Sequence, residues 1–207
     1  MMRKDELRTY IENHESEMIE DLKSLIRIPS EKQAAEPGKP FGAPAAEALA
    51  QGIEILEKYG FAVTNYDNYA IAADFNQEEK GLDILAHLDV VPAGEGWQET
   101  DPFTPLVKDG KMFGRGTADD KGPAIAAIYA MRAVKELGYP LKKNVRLVLG
   151  SDEECGSSDL EYYYKKEAEA PCTFSPDAEF PVINIEKGGM RGHFEKTSDG
   201  GTTGVHL

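Results

Sequence analysis

Apolar residues in the N-terminal part of the chain recur at helical spacing. Over residues 5–27 they lie mostly one, three, four or seven positions apart, as on one face of a helix, which predicts one amphipathic helix ended by Pro29. Residues 44–59 repeat the pattern and predict a second helix, with Gly60 as its C-terminal stop. A loop rich in glycine, proline and alanine separates the two predicted helices.

The pattern then changes to the spacing of strands. Residues 61–67 and 69–75 predict a pair of strands joined by a turn at Asp67 and Asn68. Beyond them strands alternate with helices, with strands predicted at 82–89, 145–150 and 172–177 and helices at 122–137 and 159–170. Strands that are apolar on both faces and separated by helices are typical of parallel sheets covered on both sides. The sequence therefore predicts an α/β fold with a mostly parallel sheet flanked by helices.

The last part of the chain has a different character. After Gly188 and Gly189 the residues are small, polar and rich in glycine and threonine, and they form no complete unit of their own. We therefore assign residues 1–189 to one α/β domain and residues 190–207 to the beginning of another.

Composition narrows the class of partner and the compartment. The chain of 207 residues has a formal net charge of -14, which argues against nucleic acid or an anionic membrane as a partner. Its N-terminus lacks the apolar core of a secretory signal, and no stretch approaches the ~18 apolar residues of a membrane span. The two cysteines, Cys155 and Cys172, have no spacing that suggests a disulfide, and we expect a protein of the reducing cytoplasm.

Residues of metal-ligand type follow the predicted strands. His87 lies in the apolar strand 82–89, where a lone histidine is more often a packed core residue than a ligand. Asp89, two positions on, lies on the same side of an extended segment, and a carboxylate there can accept the other ring N–H of a ligating histidine. Because ligands bind at the carboxyl ends of parallel strands, we expect His87, Glu154 and Asp177 at one edge of the sheet.

Two acidic pairs add to this set. Asp119 and Asp120 lie in a glycine-rich turn, where one of them suits a cation and Asp120 equally suits the cap of the following helix. Glu153 and Glu154 come after an apolar strand, and their side chains should diverge. One of them can then bind a metal while the other acts as a general base toward water. A solvated acidic loop and, for Asp177, a simple turn are the alternative interpretations.

Four segments together resemble one known family. They are HLDVVPAGEGW (87–97), GRGTADDKGP (114–123), SDEECGSSD (151–159) and SPDAEFPVINIEKG (175–188). Taken in this order, and over most of the chain, they are similar to the M20 family of dinuclear zinc metallopeptidases. Within that family the resemblance is strongest to the bacterial PepV-type dipeptidases.

The resemblance implies a centre with two zinc ions, for which Co²⁺ or Mn²⁺ are possible replacements. Asp119 would bridge the two ions. His87 and Asp177 would hold the first ion with it, and Glu154 would hold the second. The peptide bond between Asp119 and Asp120 is expected to be cis, as is common in the family.

The resemblance also implies the reaction, which is the hydrolysis of a dipeptide or another small peptide. Glu153 would be the general base that takes a proton from a zinc-activated water as this attacks the amide carbonyl, and Asp89 would orient His87. Aromatic residues are more often part of a core than of a substrate site. Three of them are nevertheless candidates for lining the substrate pocket: Trp97, Phe103 and Tyr129.

The chain differs from the family in its length, because members of this type are more than twice as long. The missing part would contain the lid domain, of which residues 190–207 would be the start, and the last histidine ligand of the second zinc. His206 is a poor substitute, since a chain end is costly to order around a metal. The chain is then either the N-terminal part of an active zinc dipeptidase or a catalytically inactive metal-binding fragment. An M20 deacylase acting on N-acyl amino acids or succinyl-diaminopimelate is the other enzyme that fits.

Overall fold

A computed structural model of the chain describes residues 4–178, 182–185, 188, 190 and 192. By their internal contacts the residues divide into two units, Met1–Asp177 and Ala178–Leu207. The helices and strands given below all belong to the first unit. The predicted boundary between residues 189 and 190 stays a prediction, because most of the segment 190–207 lies outside the described residues.

The described part of the first unit alternates between helices and strands. The helices are α1 (Lys4–Asn13), α2 (Glu15–Ile26), α3 (Ala43–Lys58), α4 (Lys121–Glu136) and α5 (Ser158–Tyr164). The strands are β1 (Ala62–Tyr66), β2 (Ala70–Asp74), β3 (Lys80–His87), β4 (Leu106–Lys108), β5 (Lys111–Phe113), β6 (Asn144–Gly150) and β7 (Thr173–Phe174). A single 3₁₀ turn, Glu153–Cys155, lies between β6 and α5.

Five of the strands form one sheet in the order β1-β2-β6-β3-β7. β3 pairs in parallel with both β6 and β7, while β2 pairs antiparallel with β1 and β6. The parallel order predicted for the strands that alternate with helices is therefore confirmed for β3, β6 and β7. The sheet as a whole is mixed, because β1 and β2 form a hairpin, and a short turn can join only antiparallel strands. Its turn residues, Asp67 and Asn68, have φ of 53° and 59°, as the tight hairpin turn requires.

Helices cover both faces of this sheet, which explains why β3 and β6 carry apolar residues on both faces. Ile84, Leu147 and Leu149 lie in a buried cluster with residues of α2, α3 and α4. Val148, between two of them, points the other way and lies in a second cluster with Tyr163 of α5. This arrangement confirms the predicted α/β class, in which both faces of the parallel strands are buried.

The prediction of one helix over residues 5–27 is wrong, because the helix is interrupted at His14. The backbone N–H of His14 donates to the Ile11 carbonyl at 3.0 Å, instead of to the Tyr10 carbonyl as in a continuous helix. The His14 side chain takes that place, with Nδ1 2.7 Å from the Tyr10 carbonyl and its ring stacked on the Tyr10 ring at 4.1 Å. The side chain thus replaces a backbone hydrogen bond and separates α1 from α2.

The helix predicted over residues 159–170 is only the short α5. Beyond it, the carboxylate of Glu167 accepts hydrogen bonds from Lys80 at 2.8 Å, the Tyr66 hydroxyl at 2.8 Å and Arg146 at 2.9 Å. These partners lie on β3, β1 and β6. The chain therefore turns back onto the sheet, where Glu167 joins three strands, and does not continue as a helix.

The longest helices, α3 and α4, have 16 residues each. Within the part of the chain that the structure describes, no helix has both the length and the apolar character needed to cross a membrane.

The two cysteines, Cys155 and Cys172, are free.

The ion cluster at Glu167 gives a prediction about acid stability. The hydrogen bond from Lys80, aided by Tyr66 and Arg146 and opposed by burial, lowers the pKa of Glu167 from 4.5 to about 2. A carboxylate with a lowered pKa stabilises the fold above its unfolded value, and this contribution is lost as the pH falls through the folded value. We expect Glu167→Gln to lower the free energy of unfolding by about 1–3 kcal/mol at neutral pH. The difference from the wild type should shrink from pH 4.5 to 2, as measured by urea denaturation.

Glu161→Gln is the matched control for this measurement. Glu161 lies on α5, its side chain is 71% exposed, and it is 4.0 Å from the Lys165 ammonium group. Its substitution should change the free energy of unfolding by less than about 0.5 kcal/mol at every pH. A deficit of Glu167→Gln that stays constant from neutral pH down to pH 2 would contradict the prediction.

Candidate metal centre

The pairing of β3 with β6 determines which residues meet at the carboxyl edge of the sheet. In this parallel ladder His87, the last residue of β3, stands opposite Gly150, the last residue of β6. The 3₁₀ turn with Glu153 and Glu154 follows β6, so both glutamates come to the end of β3. β7 runs parallel on the other side of β3 and leads to Asp177. The predicted residues thus lie together at the edge where α/β sheets bind ligands.

His87 is at the centre of the cluster, and its side chain is only 2% exposed. Its Nδ1 lies 3.0 Å from the backbone oxygen of Asp89 and 3.3 Å from the Asp89 carboxylate. Its Nε2 faces three further carboxylates, those of Asp119 at 3.1 Å, Asp177 at 3.5 Å and Glu153 at 3.8 Å. A ring whose Nδ1–H donates to Asp89 presents the Nε2 lone pair to these groups, which is the form that a metal ligand needs.

Asp89 connects His87 with the two glutamates. Its carboxylate, 1% exposed, accepts hydrogen bonds from the backbone N–H groups of Glu153 at 3.3 Å and Glu154 at 3.1 Å. The same carboxylate lies against the His87 ring. Asp89 therefore holds the turn that carries the glutamates at a fixed distance from the imidazole, while its predicted role as the orienter of His87 stays a prediction.

Asp119 and Asp120 point in different directions from the peptide bond between them, which is cis as expected. The Asp119 side chain is 59% exposed and reaches His87 Nε2. Asp120 is fully buried, and its Oδ2 accepts the backbone N–H of His87 at 3.0 Å. Its Oδ1 has no hydrogen-bond partner among the described residues. Asp120 does occupy the N-cap position of α4, but its side chain makes no capping hydrogen bond and supports the end of β3 instead.

Close contacts with the neighbouring backbone fix the turn that carries these two aspartates. The buried Lys121 ammonium group donates to the carbonyls of Leu25 at 3.0 Å and Ile28 at 2.8 Å, at the end of α2. A Cβ on Gly122 would lie 2.0 Å from the Thr117 carbonyl oxygen. Glycine is therefore required there, because any side chain would push the turn apart.

Burial and neighbouring charges shift the titration of the cluster. Burial lowers the pKa of His87, but the hydrogen bond and charge of Asp89 outweigh it and raise this pKa to about 10. Burial raises the pKa of Asp120 to about 7, against the lowering effect of the His87 N–H. The pKa values of Glu153 and Glu154 are also raised, by burial first and by neighbouring carboxylates after it. A cation would favour the ionised carboxylates and would compete with the proton on His87.

Among the residues that the structure describes, two sets of three side chains lie close enough to hold metal ions. One set is His87, Asp119 and Glu154, the other is His87, Asp120 and Asp177, and the possible ligand atoms in each lie within 4.8 Å of one another. The four ligands predicted from the sequence are thus brought together, although His87 and not Asp119 is common to both sets. Asp120 is an additional candidate ligand that the assignment of Asp119 alone missed. The presence of two adjacent aspartates was the signal for it.

Other residues singled out in the sequence lie elsewhere. Tyr129 is fully buried and donates a hydrogen bond to Asp21, so it belongs to the core and not to a substrate pocket. Trp97 lines a separate cavity of about 430 Å³, and Phe103 is half-buried. His206 lies outside the described residues.

Comparison with known proteins identifies a family and a group of relatives. Residues 84–197, more than half of the chain, match the model of peptidase family M20/M25/M40. Over 174 residues, or 83% of the chain, the sequence is 41% identical to the β-Ala-Xaa dipeptidase of Lactobacillus delbrueckii subsp. lactis. The chain spans 37% of the length of that relative.

Solved structures agree with this assignment. Human carnosine dipeptidase 1 is 29% identical, with a TM-score of 0.71 over 83% of this chain and 40% of that one. The YXEP protein of Bacillus subtilis, described as a dinuclear metal-binding peptidase of the M20 family, is 20% identical, with a TM-score of 0.54 over 79% of this chain and 43% of that one. At that identity the likeness concerns the fold alone. The family match and these relatives bear out the resemblance of the four sequence segments, and the chain belongs to peptidase family M20/M25/M40.

Proposed function

We propose that the chain forms the metal-binding part of a dipeptidase that hydrolyses small peptides with the help of divalent cations, in the first place zinc. The observation that carries the proposal is the convergence of carboxylates on one atom. Asp119, Glu153 and Asp177 approach Nε2 of the buried His87 to within 3.1–3.8 Å. Family membership and the name of the Lactobacillus relative support the same reaction. Because the chain spans 37% of that relative, the activity of the whole protein is itself part of the proposal.

The side chains of the cluster fit a divalent cation. One imidazole with several carboxylates is a donor set that Zn²⁺, Co²⁺ and Mn²⁺ accept. The buried Oδ1 of Asp120 lacks a partner among the described residues, and burial and mutual repulsion raise the pKa values of Glu153 and Glu154. Positive charge between these groups would relieve both conditions. The ligands that we infer for two ions are His87, Asp119, Glu154 and Asp177.

Proton transfer is the task that we assign to Glu153. When bound, divalent cations would polarise the scissile carbonyl group and lower the pKa of water. Glu153 would accept a proton from the attacking water and then donate it to the nitrogen of the leaving amine. Its pKa is raised, by burial first, and this brings it closer to neutral pH, as the double task requires. The Asp89 carboxylate would hold Glu153 in place by accepting a hydrogen bond from the backbone N–H of Glu153.

The names of two relatives guide the choice of substrate. One is named for β-Ala-Xaa dipeptides and the other for carnosine, and we infer that dipeptides are the substrates of this protein as well. A cavity of about 160 Å³ lies beside the cluster and is lined in part by His87, Glu153 and Asp177. The cavity places space for a substrate group directly beside the candidate metal ligands.

Two alternatives use the same centre in a different way. An M20 deacylase would cleave the amide bond of an N-acyl amino acid or of succinyl-diaminopimelate. A metal-binding fragment without turnover is the second alternative. Both candidate metal sets among the described residues rely on the single imidazole of His87, which is the observation that favours this second alternative.

Zinc binding is the first test. We expect the chain, freed of metal with a chelator, to bind Zn²⁺ in isothermal titration calorimetry. His87→Ala should weaken binding by more than about 100-fold, because the loss of a ligand lowers the affinity more than the loss of a residue that only supports a ligand. His14→Ala is the matched control, since His14 contacts the ring and carbonyl of Tyr10 in α1, and it should bind as the wild type does. Equal affinities of the wild type and His87→Ala would contradict the proposal.

An activity measurement separates proton transfer from metal binding. Glu153→Gln should lower kcat for dipeptide hydrolysis by about 10²–10⁴-fold, the usual contribution of a general base. Its zinc affinity should stay near that of the wild type, whereas Glu154→Gln should lose both activity and affinity. Wild-type turnover by Glu153→Gln would sink the assignment of the base. Zinc binding without any turnover by the wild-type chain would support the metal-binding fragment.

A substrate panel distinguishes the peptidase from the deacylase. The panel contains a β-alanyl dipeptide, an α-linked dipeptide and an N-acetyl amino acid, each assayed with Zn²⁺, Co²⁺ and Mn²⁺. We expect kcat/KM for the better dipeptide to exceed that for the N-acetyl amino acid by more than about tenfold, since a site that pairs a substrate amine rejects analogues lacking it. The opposite order of kcat/KM would favour the deacylase.

A further inference from the structure

The turn that follows β6 is held at both of its ends by buried carboxylates. Four consecutive backbone N–H groups, from Ser151 to Glu154, donate to carboxylate oxygens. Those of Ser151 and Asp152 donate to Oδ2 of Asp159, at 2.6 and 2.9 Å. The other two donate to Asp89, at 3.3 and 3.1 Å. The turn is therefore fixed by two carboxylates that lie far apart in the sequence.

Asp159 is buried to an extent that is unusual for a carboxylate, with 1% of the residue exposed. Its hydrogen-bond donors are backbone N–H groups, those of Ser151 and Asp152 on one oxygen and that of Leu160, at 2.7 Å, on the other. Burying a carboxylate carries a large desolvation penalty. The two hydrogen bonds that Asp159 makes outside its own helix both come from the turn that carries the glutamates, so this turn supplies most of the compensation for its burial.

Gly150 provides the space that this carboxylate occupies. A Cβ on Gly150 would lie 2.3 Å from Oδ2 of Asp159. Gly150 does not have a positive φ, so the close approach and not the backbone conformation requires glycine there. Gly150 also stands opposite His87 in the β3–β6 ladder. The place for Asp159 is thus built into the strand ends that form the candidate centre.

We propose that Asp159 is a positioning residue of the metal centre, a proposal that rests on the proposed function. It accepts hydrogen bonds from the backbone N–H groups of Ser151 and Asp152. By doing so it fixes the backbone just before Glu153 and Glu154, and with it the directions of their side chains. It acts through the backbone and is not itself a ligand. Without it, two buried N–H groups just before the glutamates would lose their acceptor. The turn would keep its hydrogen bonds to Asp89 and the one from Lys32 to the Asp152 carboxylate.

Three substitutions and one control test this role in the chain. Asp159→Ala removes both acceptors, while Asp159→Asn keeps one oxygen that can accept from Ser151 and Asp152. Gly150→Ala leaves Asp159 in the sequence but displaces its carboxylate, and it gives the same comparison if Asp159→Ala does not fold. Asp83→Ala is the matched control, because Asp83 on β3 is equally buried but accepts hydrogen bonds from Tyr164 and Ala170, outside the cluster.

The first measurement is the affinity for Zn²⁺ by calorimetry. Asp159→Ala and Gly150→Ala should weaken this affinity by about 10–100-fold, as is typical when a residue that supports a metal ligand is changed. Asp159→Asn should restore an affinity near that of the wild type, and Asp83→Ala should not change it. Equal affinities of Asp159→Ala and the wild type would overturn the proposal. An equal loss in Asp83→Ala, or in Asp159→Asn, would also overturn it.

The second measurement is amide hydrogen exchange by NMR, which needs neither metal nor activity. Exchange at Ser151 and Asp152 should be faster by about fivefold or more in Asp159→Ala, the effect of losing one net hydrogen bond. It should stay at the wild-type rate in Asp83→Ala. Unchanged exchange at both amides in Asp159→Ala would overturn the proposal. A wild-type chain that binds no zinc would contradict the proposed function, and the exchange rates would then still decide whether Asp159 holds the turn.

Discussion

The candidate centre depends on the parallel register of β3 against β6. This register sets His87 opposite Gly150 and brings the turn after β6 within reach of the imidazole. A slip by one residue would turn every side chain of β3 to the other face of the sheet, so that Ile84 would leave the core and His87 would leave the carboxylates. The apolar alternation that packs β3 between two layers of helices therefore fixes the chemistry of the site together with the fold.

Backbone hydrogen bonds allow like charges to gather at this edge. The chain has a net charge of -14, and a cluster of carboxylates would be expected to separate. The Asp120 carboxylate accepts a hydrogen bond from the backbone N–H of His87, and the Asp89 carboxylate accepts one from each of the backbone N–H groups of Glu153 and Glu154. Such bonds offset part of the desolvation of each carboxylate but do not neutralise its charge. The geometry of the cluster is thus set by the fold, while its negative charge stays available to a cation.

Periodicity predicted those helices and strands that have long apolar patterns, and the α/β class followed from their order. It failed at His14, where a side chain replaces a backbone hydrogen bond. It also gave no prediction for β4 and β5, which pair antiparallel and have only three residues each. In the site, residue type and position after a strand predicted the cluster. They could not tell which of two adjacent aspartates points toward the imidazole. They also could not reveal the role of Asp159. It accepts hydrogen bonds from backbone N–H groups, and these groups leave no mark in the sequence because almost every residue type has one.

A solvated acidic surface is the simplest competing interpretation of these carboxylates, and the geometry argues against it. Charges on a solvated surface diverge into water, whereas Asp119, Glu153 and Asp177 come from three segments and converge on one nitrogen within 3.1–3.8 Å. That nitrogen belongs to a side chain that is 2% exposed, while the three carboxylates are 31–59% exposed, so water screens their mutual repulsion only in part. Convergence of this kind needs positive charge at its centre. A proton on His87, whose pKa is raised to about 10, supplies one charge and a single hydrogen bond from Nε2. A divalent cation brings twice the charge to the same place and binds several oxygens at once, and for this reason the arrangement suits a metal better than a proton.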